Sequence, residues 1–249
     1  MADHRRFFVA PEQISAEEAL IEGDTARQIY KVLRLKESDP ITLLDGDGGV
    51  FEAVITSASP RAIKARIAGI QHGVNEPTLR LVLASCLPKS DRIEHIVQKC
   101  TELGICEMIL VRSERTVVRL DESGQAKRLE RLNKIAIEAA EQCGRSVAPK
   151  LSGVIGFDEL INSARDYDLA LVGWEEEESV GLRDTLRENE KAGSALLIVG
   201  PEGGLSQTEV QSAIDAGVKS VSFGGRILRT DTAAVAGCAA IMYELEGQL

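Results

Sequence analysis

At Glu76-Pro77 the rhythm of the chain changes, and that change restricts its possible folds more than any other feature. Before it lie short runs of strand-forming residues. After it, apolar runs of strand length alternate with segments of helical period. Such alternation implies a mostly parallel sheet covered by helices on both faces. In the first part, Phe7–Val9, Ile41–Leu44, Val50–Ile55 and Ala62–Ile67 are strand-like, and Asp45-Gly-Asp-Gly-Gly49 is a hairpin turn signal between two of them. One helix interrupts them, from Thr25 to about Lys36, with Ile29, Val32 and Leu33 on one face and Asp24 placed to cap it. Several short strands with one helix suggest a small barrel. The expectation is two domains, residues 1–73 and 74–249, with a boundary near residues 70–78.

In the later part, Leu79–Ala84, Ile109–Val111, Leu169–Val172, Ala195–Val199 and Ser220–Phe223 are strand-like. A helix from Asp91 to Leu103 carries Ile93, Ile96, Val97, Cys100 and Leu103 on one face, with Gly104 as its stop. Gln125 to Cys143 is a long helix. Ser206 to Ala216 opens with Ser206 and Glu209, the spacing of a capping box. The last helix runs from about Thr232 to Leu245.

Composition excludes several classes. The chain has 249 residues, 44% of them apolar, enough for a proper core. The start, Met1 to Val9, lacks the apolar core of a secretion signal, and nowhere do about 18 uninterrupted apolar residues occur. A soluble, cytoplasmic protein is expected. The five cysteines form no CxxC pair and no ligand-like spacing with His4, His72 or His95, so buried reduced thiols and no metal are expected. The net charge of -10 argues against a nonspecific coat on nucleic acid. Residues 1–75 hold 9 Lys and Arg against 11 Asp and Glu, and residues 76–249 hold 20 against 28. Most of the acidity therefore sits in the later part.

Two loops carry chemistry, both after strands whose carboxyl ends are where open α/β sheets place ligands. Gly200-Pro-Glu-Gly-Gly-Leu-Ser206 follows an apolar strand and leads into the capped helix. Its glycines permit close backbone approach to a ligand, although an ordinary strand–helix turn would look similar. It ends in neither Gly-Lys-Ser/Thr nor GxGxxG, so it is not a phosphate loop. Phe223-Gly-Gly-Arg-Ile-Leu-Arg-Thr-Asp-Thr232 sets apolar Ile227 and Leu228 between Arg226 and Arg229, as a ligand-facing wall requires. Thr230 or Asp231 reads more readily as a cap of the last helix.

Together, GPEGGLSxxE (Gly200 to Glu209) and GxRILRTxTA (Gly224 to Ala233) resemble the RsmE family of 16S rRNA uridine-N3 methyltransferases, within the SPOUT superfamily. The resemblance extends to Lys89-Ser-Asp-Arg92, Gln98 to Gly104, Ser113-Glu-Arg115, Ile137 to Arg145, Arg5-Arg-Phe-Phe8 and Val32 to Leu35. Phe223, Asp231, Cys100 and Ser38 depart from the usual residues, conservatively in size or charge.

The resemblance implies a SPOUT-type trefoil-knotted α/β domain preceded by a small PUA-like β-barrel domain that binds RNA. It implies S-adenosylmethionine held in the knot by Leu171, Val172 and Gly173, by Val199, Gly200, Pro201, Glu202, Gly203 and Gly204, and by Phe223, Gly224, Ile227, Leu228 and Arg229. It further implies a homodimer acting on 16S rRNA or the small ribosomal subunit, with no membrane and no metal. Arg229, Glu202 and Glu138 are the candidates for the chemical step. Arg229 could stabilise the uracil anion, or could pair with Glu202 or Asp231 and brace the loops. Arg5, Arg6, Arg34 and Arg145 are the candidates for RNA, although Arg5 and Arg6 could merely cover the barrel. Glu138, Glu141 and Arg145 share a helical face that a solvated charged surface would also explain. The small residues of the last helix, Ala233 to Ala240, allow either a dimer contact or close packing within one subunit. A SPOUT enzyme acting on another RNA and a noncatalytic RNA-binding assembly factor are the competing readings.

Overall fold

The computed structural model describes residues 5–88, 92–116 and 122–246. His4, the matched residues Lys89 to Asp91 and the expected helix start at Asp91 lie outside the described residues. The chain forms two compact units, Met1–Glu76 with Ile137–Ala148, and Pro77–Ala136 with Pro149–Leu249. The return of Ile137–Ala148 to the first unit departs from the two consecutive segments expected. A single helix spans the change of unit, and helical periodicity carries no mark of which core each end serves.

The first unit is built on a curled five-stranded sheet of β1 (Arg6–Phe8), β2 (Glu18–Glu22), β3 (Pro40–Leu44), β4 (Gly49–Ala58) and β5 (Ala62–His72), in the order β1-β3-β4-β5-β2. Only the β1–β3 ladder is parallel. Two register shifts in β4, at Glu52/Ala53 and Ile55/Ser57, add bend and twist. Phe7, Ile21, Leu43, Ile55 and Ile63 point into one core. The expected β3–β4 turn forms, with Gly46 and Gly48 at positive φ and Asp45 Oδ1 accepting from the amides of Asp47 (2.9 Å) and Gly49 (2.8 Å).

The expected helix at Thr25–Lys36 is shorter and irregular. α1 (Gly23–Arg27) passes into a π-helical turn, Gln28–Val32, closed by the Leu33 amide on the Gln28 carbonyl at 3.0 Å. The wider turn shifts the phase of the helix, so Ile29 is buried while Val32 is 72% exposed. Asp24 lies inside the first turn and bonds Arg27 at 3.1 Å; Glu22 holds the cap position.

The second unit contains a six-stranded sheet, parallel throughout: β6 (Arg80–Cys86), β7 (Glu107–Arg112), β8 (Lys150–Gly156), β9 (Leu169–Gly173), β10 (Ser194–Val199) and β11 (Lys219–Val221), in the order β11-β9-β10-β6-β7-β8. Its helices are α2 (Arg92–Glu102), α3 (Glu122–Cys143, running on into the first unit), α4 (Phe157–Asn162), α5 (Leu182–Glu188), α6 (Gln207–Asp215) and α7 (Thr230–Ile241). β10 shows how the sheet is covered. Ala195, Leu197 and Val199 enter a core with Ile96 of α2, Leu186 of α5 and Cys238 of α7. Leu196 and Ile198 enter the opposite core with Leu160 of α4 and Val210 of α6. The parallel sheet with helices on both faces is as the alternation required.

Cys86, Cys100 and Cys238 are buried, and Cys106 and Cys143 are half-buried; among the described residues no disulfide forms. Burial pushes the Cys86 thiol up to about 12, which leaves it no thiolate character near neutrality. Among the described residues no helix is long and apolar enough to cross a membrane.

Candidate functional site

β11, β9 and β10 are neighbours, so the loops after their carboxyl ends converge although they lie far apart in sequence. Between them opens a cleft of about 870 Å³. Each loop is shaped locally. The Gly200–Ser206 loop ends in the expected capping box: Ser206 Oγ accepts from the Glu209 amide (3.3 Å) and Glu209 Oε2 accepts from the Ser206 amide (2.9 Å). Glu209 Oε1 also accepts from the Glu114 amide at 2.8 Å, and Arg115 Nη1 donates to the Gly203 carbonyl at 3.0 Å. The matched segment Ser113–Arg115 thus holds the glycine loop from behind.

Every residue expected to hold the cofactor lines the cleft except Leu171, Val172 and Gly203. Leu171 and Val172 are strand residues whose side chains are wholly buried in the two cores. Gly203 turns its carbonyl to Arg115. The walls depend on absent side chains. A β-carbon at Gly173 would stand 2.9 Å from the Phe223 ring, and one at Gly204, already at φ +69°, would strike the Glu175 carboxylate. At the rim, Ile227 is 84% exposed and Leu228 half-buried, an apolar surface that the sequence placed in this loop.

Of the chemical candidates, Arg229 and Glu202 line the cleft. Arg229 occupies the cap position of α7, and its guanidinium makes no ion pair or hydrogen bond among the described residues. Among the described residues it pairs with neither Glu202, which faces Arg92 at 3.5 Å, nor Asp231, whose Oδ1 is buried without a partner. Thr230 and Asp231 lie within α7 and provide no side-chain cap. Glu138 is exposed on α3 and is not among the lining residues.

Sequence reasoning missed Arg92 and the run Trp174-Glu-Glu-Glu-Glu178, of which Trp174, Glu175, Glu177 and Glu178 line the cleft. Their position after a buried strand was the available signal, but four consecutive acids read as a solvated loop. Glu177 is structural. Its Oε1 accepts from Ser179 Oγ (2.7 Å) and from the amides of Ser179 (2.9 Å) and Val180 (3.1 Å). The Ser179 hydroxyl, then the Ser179 amide, hold its carboxyl down to about 2 from 4.5. Because the folded value is depressed, the stability this clamp adds is fully present above about pH 4.5 and is lost as pH falls through about 2.

In the first unit, Arg5 and Arg6 line a hollow of about 520 Å³ with Thr42, Glu52 and Glu141. Arg6 Nη2 donates to the Gly144 carbonyl at 2.9 Å, and its Nε is buried without a partner. Glu141 accepts from the Phe8 amide at 2.9 Å, and burial raises its carboxyl above the ordinary value. Arg34 is exposed at φ +55°. Arg145 corrects an expectation: it is 4% exposed and bonds Glu76 through Nε (3.1 Å) and Nη2 (2.8 Å), so its charge serves the fold and not a passing RNA. Glu138, Glu141 and Arg145 therefore do not form one solvated face. Among the described residues no group of three or more His, Cys, Asp or Glu side chains is placed to hold a metal.

A parallel sheet with a glycine-walled cleft at its carboxyl edge is the plan of a ligand-binding α/β domain. Residues 75–242 match the family model described as an RNA methyltransferase domain, and residues 21–68 match an RNA methyltransferase PUA domain. The ribosomal RNA small subunit methyltransferase E of Bacillus subtilis is 33% identical, over 97% of each chain. That of Synechocystis is 35% identical over 97% of this chain and 78% of its own. The crystal structure of the Neisseria gonorrhoeae enzyme of that name, bound to S-adenosyl methionine, superimposes with a TM-score of 0.87 at 33% identity, covering 96% of each chain. The chain belongs to the ribosomal RNA small subunit methyltransferase E family.

Proposed function

We propose that this protein transfers a methyl group from S-adenosylmethionine to N3 of a uridine in 16S rRNA, acting as a homodimer with a trefoil-knotted catalytic domain. The observation that carries this reading is the cleft at the carboxyl ends of β9, β10 and β11, walled by Gly173, the Gly200–Gly204 loop and Phe223–Arg229. The cleft suits the cofactor. Glycine backbone gives a flat adenine ring close approach, Ile227 and Leu228 give it an apolar face, and four carboxylates stand in the lining with Arg92, Arg226 and Arg229. When bound, the cofactor supplies a methyl group activated by a sulfonium leaving group, which departs with the bonding pair.

This chain's residues do the rest. Uridine N3 must lose its proton, to solvent water, before its lone pair can attack, and the negative charge then spreads to the flanking carbonyl oxygens. Arg229, fixed at the start of α7 and without a protein partner among the described residues, is available to that charge and stays protonated throughout. The test is transfer of labelled methyl to small subunits or naked 16S rRNA by the purified protein, followed by reverse transcription. A methyl on N3 blocks base pairing, so a new stop at one uridine is expected. Label on a ribose, or on transfer RNA instead, would reject the assignment.

The division of labour follows the units. The second unit holds the cofactor cleft and the dimer contact, and the first engages RNA through Arg5, Arg6 and Arg34. Alanine at both Arg5 and Arg6 is expected to weaken RNA binding and to flatten its salt dependence by about one unit for each phosphate no longer neutralised. An unchanged slope would assign these arginines to the first unit's own packing.

α7 divides its small residues. Ala234, Gly237 and Cys238 face inward, and a β-carbon on Gly237 would stand 2.7 Å from Leu197 and 3.0 Å from Phe223. Ala236 and the following Tyr243, 66% exposed, face outward and are free for a second copy. Light scattering at micromolar concentration is expected to give the dimer mass. A monomer would leave the outer face of α7 without the proposed role.

A further inference from the structure

We infer that Glu175 recognises the ammonium group of the methyl donor's amino-acid end, an assignment that rests on reading the cleft as an S-adenosylmethionine site. Four carboxylates line the cleft, and two are already engaged. Glu202 faces Arg92, and Glu177 is bound to Ser179 and Val180. Glu175 and Glu178 make no hydrogen bond or ion pair among the described residues. They differ in placement. Glu175 alone lies against the glycine loop, so closely that a β-carbon on Gly204 would strike its Oε1. That loop also has the backbone geometry to keep the space clear, since Gly204 sits at φ +69°.

The segment bearing Glu175 is fixed at both ends. The Trp174 amide donates to the Val221 carbonyl at 3.2 Å. Beyond the Glu177 clamp, the Ser222 amide donates to the Val180 carbonyl at 2.8 Å and the Leu182 amide to that of Ser222 at 3.0 Å. Glu175 itself is exposed, and the fixed segment sets where its side chain enters the cleft. Its partner is a hydrogen-bond donor, and charge favours a cationic one over a ribose hydroxyl. An ammonium offers three N–H donors, whereas a sulfonium carries charge but no donor, so the ammonium is the group that a carboxylate recognises by both charge and hydrogen bond.

The test is calorimetry on the full-length protein with three probes: S-adenosylmethionine, S-adenosylhomocysteine and 5′-methylthioadenosine, which lacks the amino-acid end. Glu175→Gln is expected to weaken the first two alike, by about tenfold or more, because both carry the ammonium and a charge-assisted bond disappears. Methylthioadenosine should bind the variant as it binds the wild type. Glu176→Gln, with the same change in net charge at an exposed acid that does not line the cleft, should bind all three within about twofold of wild type, as a merely solvated acid would. Glu175→Asp, which keeps the charge on a shorter stem, should recover part of the loss if Glu175→Gln proves poorly folded by thermal melting. Unchanged affinity in Glu175→Gln, an equal loss for methylthioadenosine, or a loss confined to S-adenosylmethionine would each overturn the assignment. Failure of the wild-type protein to bind any of the three would instead overturn the cofactor reading itself, and this assignment with it.

Discussion

Alanine at Arg229 is expected to reduce single-turnover methyl transfer by about a hundredfold or more while leaving cofactor affinity nearly intact. The expectation follows from what the guanidinium does not do. It has no ion pair or hydrogen bond among the described residues, so its removal strands no buried partner. Stability should therefore move by no more than about 0.5 kcal/mol, the range of surface changes. The loss should fall on the step in which negative charge develops on uracil. Lysine at this position keeps the charge but not the planar fork, and only partial recovery is expected. Rapid-quench kinetics paired with calorimetry separates the possibilities. A fall in melting temperature together with cofactor affinity, and full rescue by lysine, would assign Arg229 to bracing instead.

Glutamine at Glu76 should give the largest loss of stability, on the order of 3–5 kcal/mol, because it removes the charged partner of a buried ion pair. The carboxylate is saturated. Oε2 accepts from Arg145 Nε and Nη2, and Oε1 accepts from the amides of Ser146 (2.7 Å) and Val147 (2.9 Å) and from Ser146 Oγ (3.2 Å). An amide at this position would also turn a donor towards other donors. Urea denaturation followed by a probe in the first unit is expected to show the midpoint moving sharply down. A midpoint shift worth less than about 1 kcal/mol would mean that the pair is screened like a surface ion pair. RNA-binding defects in Arg145 variants are accordingly expected to arise from unfolding.

What could be read from the sequence was local or strongly periodic. The capping box of Ser206 and Glu209 spans three residues, and the Asp45–Gly49 turn is written in its glycines. The buried strands β9 and β10 are unbroken apolar runs. The glycine loops after β10 and β11 were legible because glycine at such a junction has few uses. What escaped depended on distant partners or on weak patterns. β2, Glu-Ala-Leu-Ile-Glu, alternates correctly, but its charged flanks and short length concealed it. β8 carries two glycines, and α4 and α5 are barely two turns long. The π-helical turn at Gln28–Val32 has no signature in residue type, so the phase of that helix was misjudged. Arg145 could not be told from a surface arginine, because its partner lies 69 residues away. The acidic run after β9 has a solvated composition, and only the convergence of three loops turns it into a wall.

That convergence also sets an order of assembly. The cleft needs β11, which pairs with β9 through residues 219–221, well downstream of both β9 and β10. During synthesis, β9 and β10 emerge long before it, and until it arrives one edge of β9 offers unpaired amides and carbonyls to any passing strand. Parallel pairing across such separations closes slowly, since the entropy of the loop must be surrendered before the ladder can form. Ligand capture thus waits on β11, which emerges after both β9 and β10. A ribosome still holding β11 in its tunnel carries an enzyme that can neither read its cofactor nor act on another ribosome's RNA.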